Sequence, residues 1–367
     1  MKNAIHLVVL FLVIYFTSCK KDTSSSGPAN DESIRTIAGN GVAGYSGDGG
    51  LASSAEINEP NDIFVDGTGN IYIADYRNHR IRKINTSGVI STIVGNGKSV
   101  DSAKGGLATQ ESIGGPWGVT VDALGNIYIS DNTYSYIRKV NTNGIISTIA
   151  GTGIAGYSGD GGPATSALIY SVGGIVVDNV GNVYFTQSGN NCIRKIDTNG
   201  IISTIAGNGQ TFVGPDSGDG GLATKAILNS PFSLAIDGSG NIYVAEASGN
   251  RIRKINTKGI ISTIAGNGQG GYLGDGGPAI KATLAAPYGV AVDGSGNIYI
   301  ADFGNYRIRE VNTAGIISTI AGDGTEISSG DGGPAYDAKL SSPTAIAVGN
   351  SGNVYVVDGN RIREIYK

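Results

Sequence analysis

The sequence predicts an all-β chain: a six-bladed β-propeller of four-stranded antiparallel blades, its ring closed by the N-terminal strand pairing into the last blade. Three observations predict it. The tetrad Gly69-Asn70-Ile71-Tyr72 recurs at Gly125, Gly181, Gly240, Gly296 and Gly352, with Val183 and Val354 in place of Ile. Successive copies lie 56 residues apart, except for one step of 59 between Gly181 and Gly240. The phase of the repeat leaves a spare strand at the start and a missing one at the end.

A period of this length marks stacked units, each too small to bury its own apolar face. In the first unit, residues 63–66 read as strand a and 67–70 as a turn rich in residues that tolerate positive φ. Residues 71–75 read as strand b, 76–79 as a loop, 80–84 as strand c, 85–88 as a second turn and 89–95 as strand d. All four runs are short and rich in β-branched or aromatic residues, with no helical period. The chain has 60 glycines and is 40% hydrophobic, which fits tight turns between apolar strands and not a disordered chain.

Closure follows from the phase. Residues 34–39 match strand d and precede the first strand a, while residues 361–365 match strand c with no strand d after them. Pairing the two completes blade six. An open stack would leave two apolar blade faces and a strand edge exposed, and closure removes them.

Four recurring strings are then in view: Pro-x-x-(Val/Ile)-x-Val-Asp, Gly-Asn-Ile-Tyr-Ile-Ala-Asp, Asn78-His79-Arg80-Ile81 and Ser-Thr-Ile-Ala-Gly. Over residues 34–367 they resemble NHL repeats. No Trp-Asp dipeptide of WD40 type occurs. The resemblance implies a scaffold more than a chemistry, since propellers host unrelated functions. Some NHL propellers bind RNA on a basic face, and some six-bladed propellers are metal-dependent lactonases with Glu, Asn and Asp at the channel mouth.

The first residues read as an export signal. Lys2 supplies the positive end, and residues 4–16 are apolar except for His6. That run is too short to span a bilayer comfortably. Residues 16–19, Phe-Thr-Ser-Cys, resemble a bacterial lipobox, which makes Cys19 the expected lipidated residue. The expected organisation is a lipoprotein signal peptide at 1–18, a flexible tether at 19–33 and the propeller at 34–367. The tether is polar and rich in Ser, with Gly and Pro, too poor in apolar residues to fold. The expected location is the bacterial cell envelope, lipid-anchored, on the periplasmic or cell-surface side. Cys192 stands where Arg80, Arg251, Arg307 and Arg361 stand in other blades, and reads as a neutral replacement.

Positions common to all blades are expected to be structural. Arg82, Arg138, Arg194, Arg253, Arg309 and Arg363 recur in strand c. Strand b ends in Asp75, Asp131, Glu246, Asp302 and Asp358, with Gln187 breaking the series. Partly buried Arg–carboxylate pairs bridging strands or blades are the expected use. The six tyrosines from Tyr72 to Tyr355 are expected to pack blade on blade, with the hydroxyl reaching a polar partner. The long d–a loops carry Asp48, Asp160, Asp219, Asp275 and Asp331 in Gly-rich turns, with Lys104 in blade two. The expectation is that each Asp bonds backbone amides of its own turn. Calcium at these loops is the lesser reading, because one carboxylate is far short of the six to eight oxygens calcium takes. No cofactor is otherwise expected.

Catalysis finds little inventory. The chain after the signal holds one histidine, His79, which excludes a multi-His zinc site, and no nucleophile-elbow motif occurs. Strand a positions expected to face the channel, Phe64, Thr120, Val176, Ala235, Ala291 and Ala347, offer no converging acid or base. A metal-dependent lactonase-type hydrolase with its site in the channel is the alternative. Nucleic acid is not an expected partner, because the net charge is −4 and the arginines recur singly per blade.

A ligand site is expected where the blades disagree. Just after the loop proline stand Asn61, Trp117, Phe232, Tyr288 and Thr344, with Gly173 in the blade that lacks the proline. The b–c loops of the same face add Tyr76, His79, Tyr134, Tyr136, Phe303 and Tyr306. Aromatics with few charges suit a protein, a peptide or a glycan. Blade four's incoming loop is three residues longer around 211–216, and blade six's b–c loop is two shorter. The expected function is therefore a membrane-anchored extracytoplasmic binding or interaction module, touching the membrane only through its lipid.

Overall fold

The computed structural model describes residues 32–100, 105–209 and 218–367. The expected signal peptide, Cys19, most of the tether, Lys104 and the 211–216 insertion lie outside them. Six four-stranded antiparallel sheets form the blades of the propeller. In blade one the strands are a, Pro60–Val65; b, Ile71–Asp75; c, Arg80–Ile84; and d, Ile90–Val94. Strand a begins at the loop proline, three residues before the apolar run marked by the sequence. Proline is tolerated as the first residue of a strand, where no ladder donor is required.

The ring closes as expected. Ser33–Ala38 pairs antiparallel with Ile362–Tyr366, Ser33 opposite Tyr366 and Ala38 opposite Ile362. Ser33, assigned to the tether, already belongs to this strand. Ile34, Ala38, Ile362 and Ile365 are all buried, so the borrowed strand contributes side chains to the core as well as ladder bonds.

The apolar core is split into clusters between neighbouring blades. One joins Ile73, Ile84 and Ile90 of blade one to Ala345, Val357 and Ile362 of blade six. Each incoming d–a loop then folds onto the outer edge of the blade it enters. Gly49 donates to Ile90 O at 2.8 Å, and Ile90 donates to Gly50 O at 3.0 Å. In blade six the same loop finds the borrowed strand, with Gly332 donating to Ile34 O at 2.8 Å. Covering outer edges in this way removes templates for unwanted strand pairing. Past its Gly-rich part the loop of blade three makes a 3-10 turn, Ala164–Ser166.

The six strand c arginines are fully buried. Arg82 bonds Asp75 at 3.3 Å and Asp48 at 2.7 Å, and Arg309 bonds Asp302 at 3.2 Å and Asp275 at 2.5 Å. In blade three Gln187 Oε1 accepts from Arg194 at 3.1 Å while Asp160 takes the charge at 2.7 Å. The loop aspartates thus do not serve chiefly as caps of their own Gly-rich turns. A buried guanidinium needs more acceptors than one strand b carboxylate offers, and the loop Asp supplies them. The arginine therefore pins the incoming loop to the blade.

The repeated tyrosines donate as expected. Tyr72 donates to Asp66 at 3.1 Å and Tyr128 to Asp122 at 3.0 Å, at the a–b turns. Cys192 is buried and free, its thiol pushed up to about 12 by burial, in keeping with a neutral filler.

An aromatic cap on one face and a channel behind it

The a–b ladder carries an irregularity at one place in each blade. In blade one Pro60 pairs with Asp75 and Asp62 with Ala74, which leaves Asn61 as an extra residue. The same bulge isolates Trp117, Phe232, Tyr288 and Thr344 in blades two, four, five and six. A bulge re-aims the side chain it carries, and here it turns the variable residue toward the propeller axis.

The consequence is a continuous aromatic arc of half-buried rings. Tyr76 meets Trp117 edge-on at 5.7 Å, and Trp117 meets Phe232 at 5.4 Å. Phe232 stacks on Tyr288 at 4.4 Å, and Tyr288 on Phe303 at 4.3 Å. Blade three makes this possible. Its bulge holds Gly173 and Gly174, so Trp117 of blade two reaches Phe232 of blade four across it. Asn61 and Thr344 complete the rim on the remaining side. Thr344 Oγ1 is buried with no hydrogen-bond partner among the described residues.

Of the expected site residues, the structure brings together Asn61, Trp117, Phe232, Tyr288, Thr344, Tyr76 and Phe303. Tyr134 packs beside Gly114 and stays outside the arc. His79 is tied across to blade two, its Nδ1 bonded to Gly114 O. A carbonyl only accepts, so Nδ1 carries the proton.

Backbone strain collects on this face. All nine non-glycine residues with positive φ among those described precede strand a or strand c, such as Ala286 at 46° and Tyr306 at 53°. The turns on the opposite face place glycine where positive φ is required, as at Gly69 and Gly88. Left-handed non-glycine residues cost on the order of 1 kcal/mol each and cluster at functional sites.

Behind the arc runs a cavity of about 400 Å³, lined by strand a of all six blades and by the a–b turns of blades two and three. Between arc and cavity is a void of about 10 Å³, the size of one water, so the aromatics close that end. Asp62 borders both spaces. Its side chain is half-buried, open to the channel on one side and packed by protein on the others. Burial pushes its carboxyl up to about 7, against the opposing amide donors of Val119 and Ile63. The six strand a residues expected to face the channel do line it, and Asp62, two residues before Phe64, adds a carboxylate that was not among them. The signal was in the alignment of the repeats: the matching residues are Gly118, Gly174, Ser233, Gly289 and Ala345, all small and neutral.

Among the described residues no group of three or more His, Cys, Asp or Glu is placed to hold a metal ion, and no helix is long and apolar enough to cross a membrane. A family model for the teneurin NHL domain matches residues 40–105, 153–216, 213–270, 268–329 and 324–367. The chain belongs to the teneurin NHL domain family. Mouse teneurin-4 is 31% identical over 357 residues, covering 87% of this chain and 12% of its own length. The chain thus spans about one-eighth of that relative. Among solved structures, a protein of unknown function from Bacteroides thetaiotaomicron superposes with a TM-score of 0.65 at 20% identity, over 91% of this chain and 75% of that one. An auxiliary nutrient binding protein from the same species superposes with a TM-score of 0.64 at 14% identity, over 91% and 76%. At these identities the structural likeness establishes the fold alone.

Proposed function

We propose that the protein is an extracytoplasmic binding module, lipid-anchored to the cell envelope through Cys19, whose partner docks on the aromatic face. The aromatic arc is the observation that carries this reading. Five rings contributed by three blades and two b–c loops form one half-buried surface on a rigid ring. Aromatic anchors of this kind dominate binding energy at interfaces. The strained loops of the same face support the reading, as does a fold neighbour described as an auxiliary nutrient binding protein.

The ring geometry narrows the ligand. Tyr288 is stacked on both faces, by Phe232 and Phe303, and offers a ligand its edge. A sugar ring needs a free aromatic face, whereas an apolar side chain packs against edges. A protein or peptide is therefore the favoured partner, ahead of a glycan. The test is capture from envelope extracts by the wild type and by Trp117→Ala, Phe232→Ala and Tyr288→Ala combined. Trp117 is the only tryptophan of the chain, so its emission should change when the recovered partner is titrated. A partner that binds the triple variant equally well sinks the aromatic reading. For the anchor, Cys19→Ala should release the protein from membranes, and continued membrane retention refutes it.

A further inference from the structure

The opposite end of the channel departs from the repeat as clearly as the aromatic face does. The a–b turns of four blades carry Thr68, Ser239, Ser295 and Ser351 just before the glycine of the repeated tetrad. Blades two and three carry Leu124 and Val180 there, 80% and 72% exposed, and both line the cavity. An exposed apolar lip at a cavity mouth has no role in blade packing, since the same turn folds with Thr or Ser elsewhere. Inside, Val119, Val121, Ile175, Val177, Val290 and Ile346 provide apolar walls.

The charge of the channel is one-sided. Its lining holds Asp62, Asp122 and Asp178 and no Lys, Arg or His. Asp122 and Asp178 are internally satisfied: burial is outweighed by Asn126 and Asn182 side chains and by Tyr128 and Tyr184 hydroxyls, which hold both carboxyls below the usual range. Asp62 receives the Val119 amide at 3.0 Å, and no ion pair among the described residues includes it. A buried carboxylate without a counterion is destabilising, and five blades manage with a small neutral residue at its position.

We propose that the channel is a second binding site, for a small amphipathic monocation that enters at the Leu124–Val180 lip, lays its apolar body along the strand a walls and sets an ammonium on the Asp62 carboxylate. This is independent of the aromatic face, which closes the other end. A cavity of about 400 Å³ lies within the range of small-molecule sites, roughly 300–1,000 Å³. A bare divalent ion does not fit, since one carboxylate leaves most of its coordination unfilled.

The experiment is calorimetric titration of the detergent-solubilised full chain at pH 8 with phenethylammonium, its neutral analogue 2-phenylethanol and the anion phenylacetate. The ammonium is expected to bind at least tenfold more tightly than the alcohol, and phenylacetate to give no heat. Asp62→Asn keeps an acceptor for the Val119 amide and removes a buried charge, so it is expected to fold. It should weaken the ammonium at least tenfold and leave the alcohol unchanged. Leu124→Ser with Val180→Ser should weaken ammonium and alcohol alike. Equal ammonium affinity in the wild type and Asp62→Asn overturns the proposal, and so does a folded wild type that fails to bind phenethylammonium.

Discussion

The outer layer of each blade and its innermost strand obey opposite rules. On strand c the same arginine recurs six times, buried each time, and the loop aspartate that meets it recurs wherever the described residues show it. At the start of strand a, one bulge geometry presents Asn, Trp, Gly, Phe, Tyr and Thr in turn. The backbone is equally regular in both places. What repeats in side-chain chemistry holds the ring together, and what differs faces the axis, where six blades must jointly build one asymmetric surface.

The sharpest way to break the repeating half is at its seam. Deleting residues 33–38 should remove most of the roughly 5–15 kcal/mol that keeps such a domain folded, seen as loss of a cooperative thermal transition. A parent-like melt would mean the ring does not depend on its borrowed strand. Next in size, Arg309→Ala leaves Asp302 buried without its cation and should cost about 3–5 kcal/mol in chemical denaturation.

The axial half should respond with the opposite sign. The Asp62 carboxyl is raised toward 7 by burial, from an unfolded value of 3.8. Between those values the folded chain holds a proton that the unfolded chain has lost, so stability falls as pH rises from about 4 to 7 and is then flat. Asp62→Asn should therefore be stabilising at pH 8, by up to about 4 kcal/mol, and nearly neutral at pH 4. Denaturation of both proteins at the two pH values decides it; a destabilised variant at pH 8 would make Asp62 a structural acceptor. Phe232→Ala should cost only about 1–2 kcal/mol, since the ring is half-buried, while Trp117 emission shifts to the red as its edge partner disappears. Smallest of all, Leu124→Ser should stay within about 0.5 kcal/mol of the parent, because the turn then matches four other blades.

The ring, its four-strand blades and its closure were legible because the period and its phase are carried by local residues such as Gly69, Tyr72 and Arg82, which repeat in every copy. Most of the aromatic face was legible for the same reason, read in reverse: residues that differ between copies stand out, although Tyr134, read with them, packs beside Gly114 instead. Three things were not legible. The pairing of Asp48 with Arg82 spans 34 residues and depends on how the loop folds back, which no local pattern encodes. Asp62 was missed because one channel-facing position was read per strand a; it lies two residues before Phe64, on the same side of the strand, and also lines the cavity. The edge-on contact of Trp117 with Phe232 needs Gly173 and Gly174 between them in space, a vacancy visible only once the ring is closed.

The seam has a mechanical consequence. Ser33 lies opposite Tyr366, so the chain leaves the wheel at the very rung where the latch begins. Any pull transmitted through the residues before Ser33 would bear first on the Ala335–Glu32 hydrogen bond and then on the rungs that follow, toward Ala38 and Ile362. If the proposed anchor bears load, tension would reach blade six before any other part of the ring.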